Sequence, residues 1–195
     1  MKELSTLLYR DWLEFRKKYI SYILLWFSFP MILYLFIVIP FSSYISKAAL
    51  MNYKNWASPG IWICSSALLS FMYSYTKLKN LLYNQENLNK YLKAPLSNGQ
   101  LLSSLLIFSV IIGIVQLVIS IFITTGLNND NFNLLQLLLI SINIISILLF
   151  SSITGLFFSI YIRDDFFSAL IFFMMFTILA FSFGTLIPMG GSYNK

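Results

Sequence analysis

The acidic and basic residues of this 195-residue chain are confined to a few short segments, which limits its fold more than any motif does. Only 10% of the residues are charged, against roughly 25% in a soluble domain. A helix needs about 20 predominantly apolar residues to cross a bilayer. Five stretches without Asp, Glu, Lys or Arg, each of at least 22 residues, satisfy that length: 19–46, 55–76, 94–129, 131–162 and 166–194. The sequence therefore predicts an all-α polytopic membrane protein and excludes a soluble enzyme, a secreted disulfide scaffold and a disordered tail.

Five membrane-spanning helices are predicted within these stretches, in a single domain over residues 1–195. The predicted spans are 20–41, 59–76, 101–126, 134–162 and 166–187. Pro30 lies inside the first span and is expected to kink it, because proline removes a helix hydrogen bond. A polar connection is expected over 42–57, and Ser58-Pro59-Gly60 is expected to break the chain before the second span. That span is rich in serine, which predicts that it faces other helices rather than lipid.

Residues 1–19 are predicted to form an interfacial helix on the membrane surface. Apolar residues recur at helical spacing on one face, and charged residues occupy much of the rest, as in helices that bury one face in the headgroup boundary. The residues of the apolar face are Leu4, Leu8, Trp12 and Phe15, followed by Tyr19. The alternative interpretation is a plain basic flank of the first span.

Basic residues predict the orientation. With the N-terminus inside, the inner segments hold ten Lys and Arg residues and the outer segments three, which fits the positive-inside rule. The N-terminus is therefore predicted to be cytoplasmic. The net charge of +6 favours a partner such as anionic membrane lipids over nucleic acid in so apolar a chain.

Catalytic chemistry has little support in the sequence. There is no histidine, Cys64 is the only cysteine, and no GxxxxGK[ST] phosphate loop occurs. Asp164 and Asp165 are adjacent, so their side chains diverge on a helix, and capping of the fifth span is the favoured role. Gln116 is expected to make helix–helix hydrogen bonds. No catalytic, cofactor or metal residue is predicted.

Residues 84–96 are predicted to form a short cytoplasmic amphipathic helix between the second and third spans. Leu88, Tyr91 and Leu92 fall at i, i+3 and i+4, and Pro95 ends the segment. Carriers powered by ions usually keep an ionisable residue inside the membrane, and the predicted spans contain none. Such a domain can transport if another protein supplies the work at a cytoplasmic surface of this kind. The alternative is an ordinary solvated loop helix.

Four features in sequence order resemble the membrane subunits of the ATP-binding-cassette type-2 exporters. They are the N-terminal amphipathic helix, Ser58-Pro59-Gly60-Ile61-Trp62, the segment Asn89-Lys90-Tyr91-Leu92-Lys93-Ala94-Pro95-Leu96-Ser97, and the stretch from Thr154-Gly155-Leu156 through Arg163-Asp164 to Phe183-Gly184-Thr185-Leu186-Ile187-Pro188. The resemblance implies that 84–96 is the coupling helix that docks on a separate ATPase. The contact residues that it implies are Glu86, Leu88, Tyr91, Leu92, Pro95 and Leu96.

The resemblance further implies a permease that is not itself an enzyme and needs no cofactor. It would work with a separate ATP-binding-cassette ATPase subunit and a second permease copy or homologue, and would move an amphipathic drug, lipid or polysaccharide outward across a bacterial-type inner membrane. The family usually has six spans, so we expect a truncated or split subunit, or a natural short form whose closing helix comes from elsewhere. Two alternatives stay open: the haem-exporter subunit of cytochrome c maturation, and a non-transporting membrane scaffold or assembly protein.

Overall fold

A computed structural model describes residues 2–49, 53–83, 97–128, 134–182 and 186, and these residues are helical almost throughout. The helices are α1 (Lys2–Lys17), α2 (Tyr19–Leu33), α3 (Ile39–Ala49), α4 (Tyr53–Tyr83), α5 (Asn98–Asn128), α6 (Leu134–Tyr161) and α7 (Asp165–Thr177). A π-helical turn, Tyr34–Val38, joins α2 to α3, and a second, Ile178–Ser182, continues α7. Since the described ranges contain no β-strand, the predicted all-α class is confirmed.

Three helical segments have both the length and the apolar composition to cross a bilayer. They are Tyr19–Ile45, Asn98–Asn128 and Ile142–Tyr161, with mean hydropathies of 2.3, 2.9 and 2.0. They overlap the predicted spans 20–41, 101–126 and 134–162, and they fit an integral membrane protein. The apolar helix Phe166–Ala180, within the predicted fifth span, is shorter.

Helix α4, which contains the predicted second span, lies at the centre of the bundle. It is 31 residues long and packs chiefly against α5 and α6. Its apolar side chains form much of the core, and Ile61, Trp62 and Phe71 are fully buried. The serines that lower its hydropathy are buried as well, at Ser65, Ser66, Ser70 and Ser74. The prediction that this segment faces protein is therefore confirmed.

The polar connection predicted from Ser42 onward is wrong at its start, because the helix continues to Ala49. Ser42 Oγ donates to the backbone oxygen of Ile39 over 2.7 Å, and Ser43 Oγ donates to that of Pro40 over 3.2 Å. Serine hydroxyls that bond to the preceding turn are satisfied within the helix, so they do not end it.

The predicted break at Ser58-Pro59-Gly60 is also wrong. Helix α4 begins at Tyr53 and runs through Pro59 near its N-terminal end. Proline costs a helix one backbone hydrogen bond there, but Ser58 and Gly60 on either side of it are buried against neighbouring helices. Ser58 Oγ also donates to the backbone oxygen of Lys54 over 2.9 Å. Tertiary packing therefore outweighs the local helix-breaking signal.

Candidate functional site

The predicted coupling segment, 84–96, lies outside the described residues. The six residues assigned to ATPase contact fall within it: Glu86, Leu88, Tyr91, Leu92, Pro95 and Leu96. The residues on either side of the segment lie within the described ranges. The segment directly follows Tyr83, the last residue of α4, and directly precedes Ser97. The segment therefore connects the end of the central helix to the start of α5.

The start of α5 carries a capping box that sequence reasoning missed. The backbone N–H of Gln100 donates to Ser97 Oγ over 3.3 Å, and the backbone N–H of Ser97 donates to Gln100 Oε1 over 3.1 Å. This reciprocal pair satisfies two N–H groups that a helix start leaves without intrahelical partners. The Ser-x-x-Gln spacing was the available signal.

The interfacial helix, α1, has one side packed against protein. Leu4, Leu8 and Phe15 are half-buried, and the latter two pack against a cluster centred on Phe108 of α5. Trp12 is 53% exposed and stacks on Phe15, with ring centroids 5.6 Å apart. Of the face predicted to meet the headgroup boundary, Leu8 and Phe15 thus contact protein, whereas Trp12 is on the outside.

A cluster of four charged residues, the α1–α4 ion cluster, joins α1 to the last turns of α4. It consists of Arg10, Asp11, Glu14 and Lys77. Asp11 is fully buried, with Oδ1 2.9 Å from Arg10 Nη2 and 3.8 Å from Lys77 Nζ. Glu14 pairs with Lys77 and lies 3.9 Å from Arg10 Nε. Since Lys77 bridges both carboxylates, the cluster attaches α1 to the central helix by charge.

The cluster also determines the ionisation of Glu14. Burial by itself raises the pKa of this carboxyl, but the hydrogen bond from Lys77 and the positive charges of Lys77, Arg10 and Lys18 outweigh it. The pKa is therefore held below its ordinary value of 4.5. Among the described residues, Asp11 Oδ2 and the nearby Tyr73 hydroxyl are buried without a hydrogen-bond partner. Buried polar groups without partners cost stability, so these two atoms offset part of the stabilisation that the ion pairs supply.

Polar side chains form a seam along α4, where it meets α5 and α6. The contacts are Ser65 Oγ to Ser120 Oγ at 2.7 Å, Ser70 Oγ to Ser152 Oγ at 2.6 Å, and Trp62 Nε1 donating to Thr124 Oγ1 at 2.7 Å. All six side chains are buried. In a membrane, hydrogen bonds between small polar side chains help hold helices together. The seam therefore holds α4 to α5 and α6.

Gln116 of α5 extends this bonding to α2. It is fully buried, and its Nε2 donates to the backbone oxygen of Trp26 over 3.2 Å. Pro30, four residues later, has no N–H with which to bond that oxygen. The prediction that Gln116 makes a helix–helix hydrogen bond is confirmed.

The start of α7 lies beside the C-terminal end of α4. Asp164 caps α7, with Oδ1 accepting from the backbone N–H of Phe166 over 3.0 Å, which confirms the predicted capping role for this residue. Lys79 Nζ donates to Ser168 Oγ over 2.9 Å. The guanidinium of Arg163 lies 5.5 Å from the centre of the Tyr83 ring. This end of the bundle therefore carries cations at the α4–α7 boundary as well as in the α1–α4 ion cluster.

The part of the chain that the structure describes contains no group of three or more His, Cys, Asp or Glu residues able to hold a metal ion. Cys64 is buried in the core beside Ile61 and Ala67. The described bundle has a buried seam of uncharged polar side chains and, near the C-terminal end of α4, the α1–α4 ion cluster. No protein-family model matches the chain, and neither a curated protein nor a solved structure is significantly similar to it.

Proposed function

We propose that this chain is the membrane permease subunit of an ATP-driven exporter. It would use a separate ATP-binding-cassette ATPase and a second permease copy or homologue to move an amphipathic cargo outward. All five predicted spans, including α4 and α7, would then cross a bacterial-type inner membrane, with the N-terminus in the cytoplasm. The observation that carries the proposal is the position of Lys77, which ties α1 to α4 seven residues before the segment 84–96 begins.

A coupling segment needs a rigid element that transmits its movement into the membrane. Helix α4 meets that need because it is continuous over Tyr53–Tyr83 and is buried along most of its length. Its seam with α5 and α6 would carry a displacement of α4 to both neighbours. The α1–α4 ion cluster would make α1 follow the same movement.

The described part of the bundle supports an external energy source. The helical segments Tyr19–Ile45, Asn98–Asn128 and Ile142–Tyr161 contain no Asp, Glu or Arg, and no lysine. A carrier driven by protons or ions usually needs a titratable or ion-binding group at that depth. Work supplied at the cytoplasmic surface fits this composition better.

The direct test is co-purification of an ATP-binding-cassette ATPase with the full chain from native membranes, identified by mass spectrometry. Tyr91→Asp and Leu92→Asp should each abolish the association, since a buried carboxylate is costly at an apolar contact. Tyr44→Asp and Leu127→Asp are matched controls, because Tyr44 and Leu127 are 76% and 45% exposed and lie toward the other end of the bundle.

Reconstituted vesicles then separate the candidate functions. Cargo-stimulated ATP hydrolysis supports the exporter, and stimulation by haem alone would assign the haem-exporter branch. If the chain binds other membrane proteins but no ATPase, or if the Asp variants retain the ATPase, the proposal is wrong and a scaffold role takes its place.

A further inference from the structure

A cavity of about 490 Å³ lies between α2, α4 and α7. Its lining is apolar and includes Leu25 and Phe29 of α2, Leu68 and Met72 of α4, and Phe172 and Phe176 of α7. This volume falls in the range of small-molecule pockets, roughly 300–1,000 Å³. Met72 is 40% exposed, and Phe173, which also lines the cavity, is 67% exposed. The cavity therefore opens on the outer, apolar surface of the bundle.

A cation of α4 lies beyond the lining of the cavity, on the same side of the helix. Leu68, Met72 and Lys79 are separated by four and seven residues, so they lie on one stripe of the helix. Seven residues correspond to a rise of about 10 Å. Ser168, Phe172 and Phe176 form the facing stripe of α7, at steps of four residues. Lys79 Nζ bonds to Ser168 Oγ at 2.9 Å, so this pair lies about one helical turn beyond Phe172, outside the cavity's lining.

A second cation lies at the same end. Tyr83 is one helical turn beyond Lys79 on α4, and the guanidinium of Arg163 packs 5.5 Å from its ring centre. Tyr75, beneath the Lys79 ammonium group, packs edge-on against Phe172 at 5.6 Å between ring centroids. Tyr75 and Phe172 therefore link the Lys79 ammonium group to the lining of the cavity.

We propose that this cavity is a binding site for an anionic phospholipid, with one acyl chain between α2 and α7 and the phosphate against Lys79 and Arg163. An apolar slot with two cations beyond one end of its lining is complementary to such a molecule in both its parts. Anionic lipids of the cytoplasmic leaflet attract Lys and Arg residues that lie close to the membrane surface. The site is independent of the exporter proposal, because it can be occupied without an ATPase.

Native mass spectrometry of the detergent-purified full chain tests the site. The protein is titrated with phosphatidylglycerol and with phosphatidylcholine of the same acyl chains, and bound lipid and oligomeric state are read together. We expect phosphatidylglycerol to bind more tightly. Lys79→Gln keeps an N–H donor for Ser168 but removes the charge, so it should weaken phosphatidylglycerol about fivefold and leave phosphatidylcholine unchanged. Lys17→Gln, an exposed lysine of α1, should change neither.

The acyl-chain part of the site has its own pair of variants. Met72→Trp fills the cavity and should reduce binding of both lipids, whereas Met31→Trp should not, since Met31 is 45% exposed and does not line the cavity. Equal affinity of the unmodified protein for the two lipids would overturn the proposal, as would equal losses for Lys79→Gln and Lys17→Gln. A lipid-free dimer that Met72→Trp dissociates would instead assign the cavity to a second copy. Because Lys79→Gln leaves the packing intact, the outcome does not depend on whether Met72→Trp folds.

Discussion

Gln116 and Trp26 are joined by a hydrogen bond that compensates for a proline. The side-chain Nε2 of Gln116 is 3.2 Å from the backbone oxygen of Trp26, the oxygen that residue 30 would bond if it were not proline. A carbonyl without a partner is costly in hydrocarbon, and neighbouring helices commonly satisfy the groups that a proline releases. The pair therefore fixes α5 against α2 at one level of the bundle.

Gln116 and Pro30 should be energetically coupled. Gln116→Ala leaves the Trp26 oxygen without its donor and should destabilise the protein by about 1–2 kcal/mol. In a Pro30→Ala background the backbone N–H of residue 30 can serve that oxygen, so the same substitution should cost less. Unfolding in mixed micelles, measured for all four members of the double-mutant cycle, gives the coupling. Additive effects would mean that Gln116 acts on something other than the proline-released carbonyl.

Lys77 should hold α1 in place. Lys77→Met leaves buried Asp11 and Glu14 with Arg10 alone, which should weaken the docking of α1 by about 1–2 kcal/mol. The open fraction would then rise roughly 5- to 30-fold, and trypsin cleavage within α1 should rise with it. Lys79→Met, two residues away, is the control and should leave the cleavage rate unchanged. Unchanged cleavage in Lys77→Met would show that the apolar contacts of Phe15 alone hold the helix.

The docking of α1 should also depend on pH. Because the pKa of Glu14 in the folded protein is below 4.5, its ion pair contributes fully above that pH and is lost as the pH falls through the lower folded value. Spin labels at Tyr9→Cys and Asn80→Cys, in a Cys64→Ser background, should report an α1–α4 distance that lengthens as the pH is lowered stepwise from 6 to below 4.5. Glu14→Gln should reduce this pH dependence. An identical transition in Glu14→Gln would place the responsible proton elsewhere.

Gly155 should tolerate no side chain. A Cβ atom there would lie 2.2 Å from Ser74 Oγ and 2.7 Å from the backbone oxygen of Phe71, so Gly155→Ala must separate α6 from α4. We expect a loss of about 1–3 kcal/mol, as for overpacked cores. Gly113→Ala should cost less, because its nearest atom, 2.8 Å away, is the methyl end of Leu148. A Cβ atom at Gly126 would have no other atom within 4 Å, so Gly126→Ala serves as the control in the same thermal unfolding assay.

Labelling from the two sides of the membrane tests whether α4 crosses it. Tyr44 is 76% exposed on α3, and Tyr83 is 38% exposed at the far end of α4. In a Cys64→Ser background, Tyr44→Cys should react with an impermeant maleimide from outside the cell, and Tyr83→Cys only after permeabilisation. Labelling of both from the same side would contradict the five-span arrangement.

The broad fold could be predicted because charge and hydropathy act locally. The predicted spans 101–126 and 134–162 lie within a few residues of Asn98–Asn128 and Leu134–Tyr161. The Asp164 cap and the buried serines of α4 were likewise predictable, since capping chemistry and small polar residues at helix interfaces are readable from sequence.

The α1–α4 ion cluster and the apolar cavity between α2, α4 and α7 were not predictable, because both depend on contacts between distant segments. Glu14 and Lys77 are 63 residues apart, and nothing in the sequence pairs them. Pro59 misled the local argument because its cost is one hydrogen bond, whereas the packing around it involves several helices. The periodicity of apolar residues along the sequence does not indicate which distant segments pack together.

The buried seam of α4 has a consequence for how the chain enters the membrane. A helix whose serines all point inward presents hydroxyl groups to lipid until its neighbours arrive, and polar residues weaken insertion by hydropathy alone. Ser66 and Ser74 bond to backbone oxygens of α4 itself, but the side-chain partners of Ser65 and Ser70 lie on α5 and α6, which are synthesised later. We therefore expect α4 to be retained stably only once the chain beyond Ser152 has been made, so that biogenesis of this bundle is ordered by its serine-rich central helix.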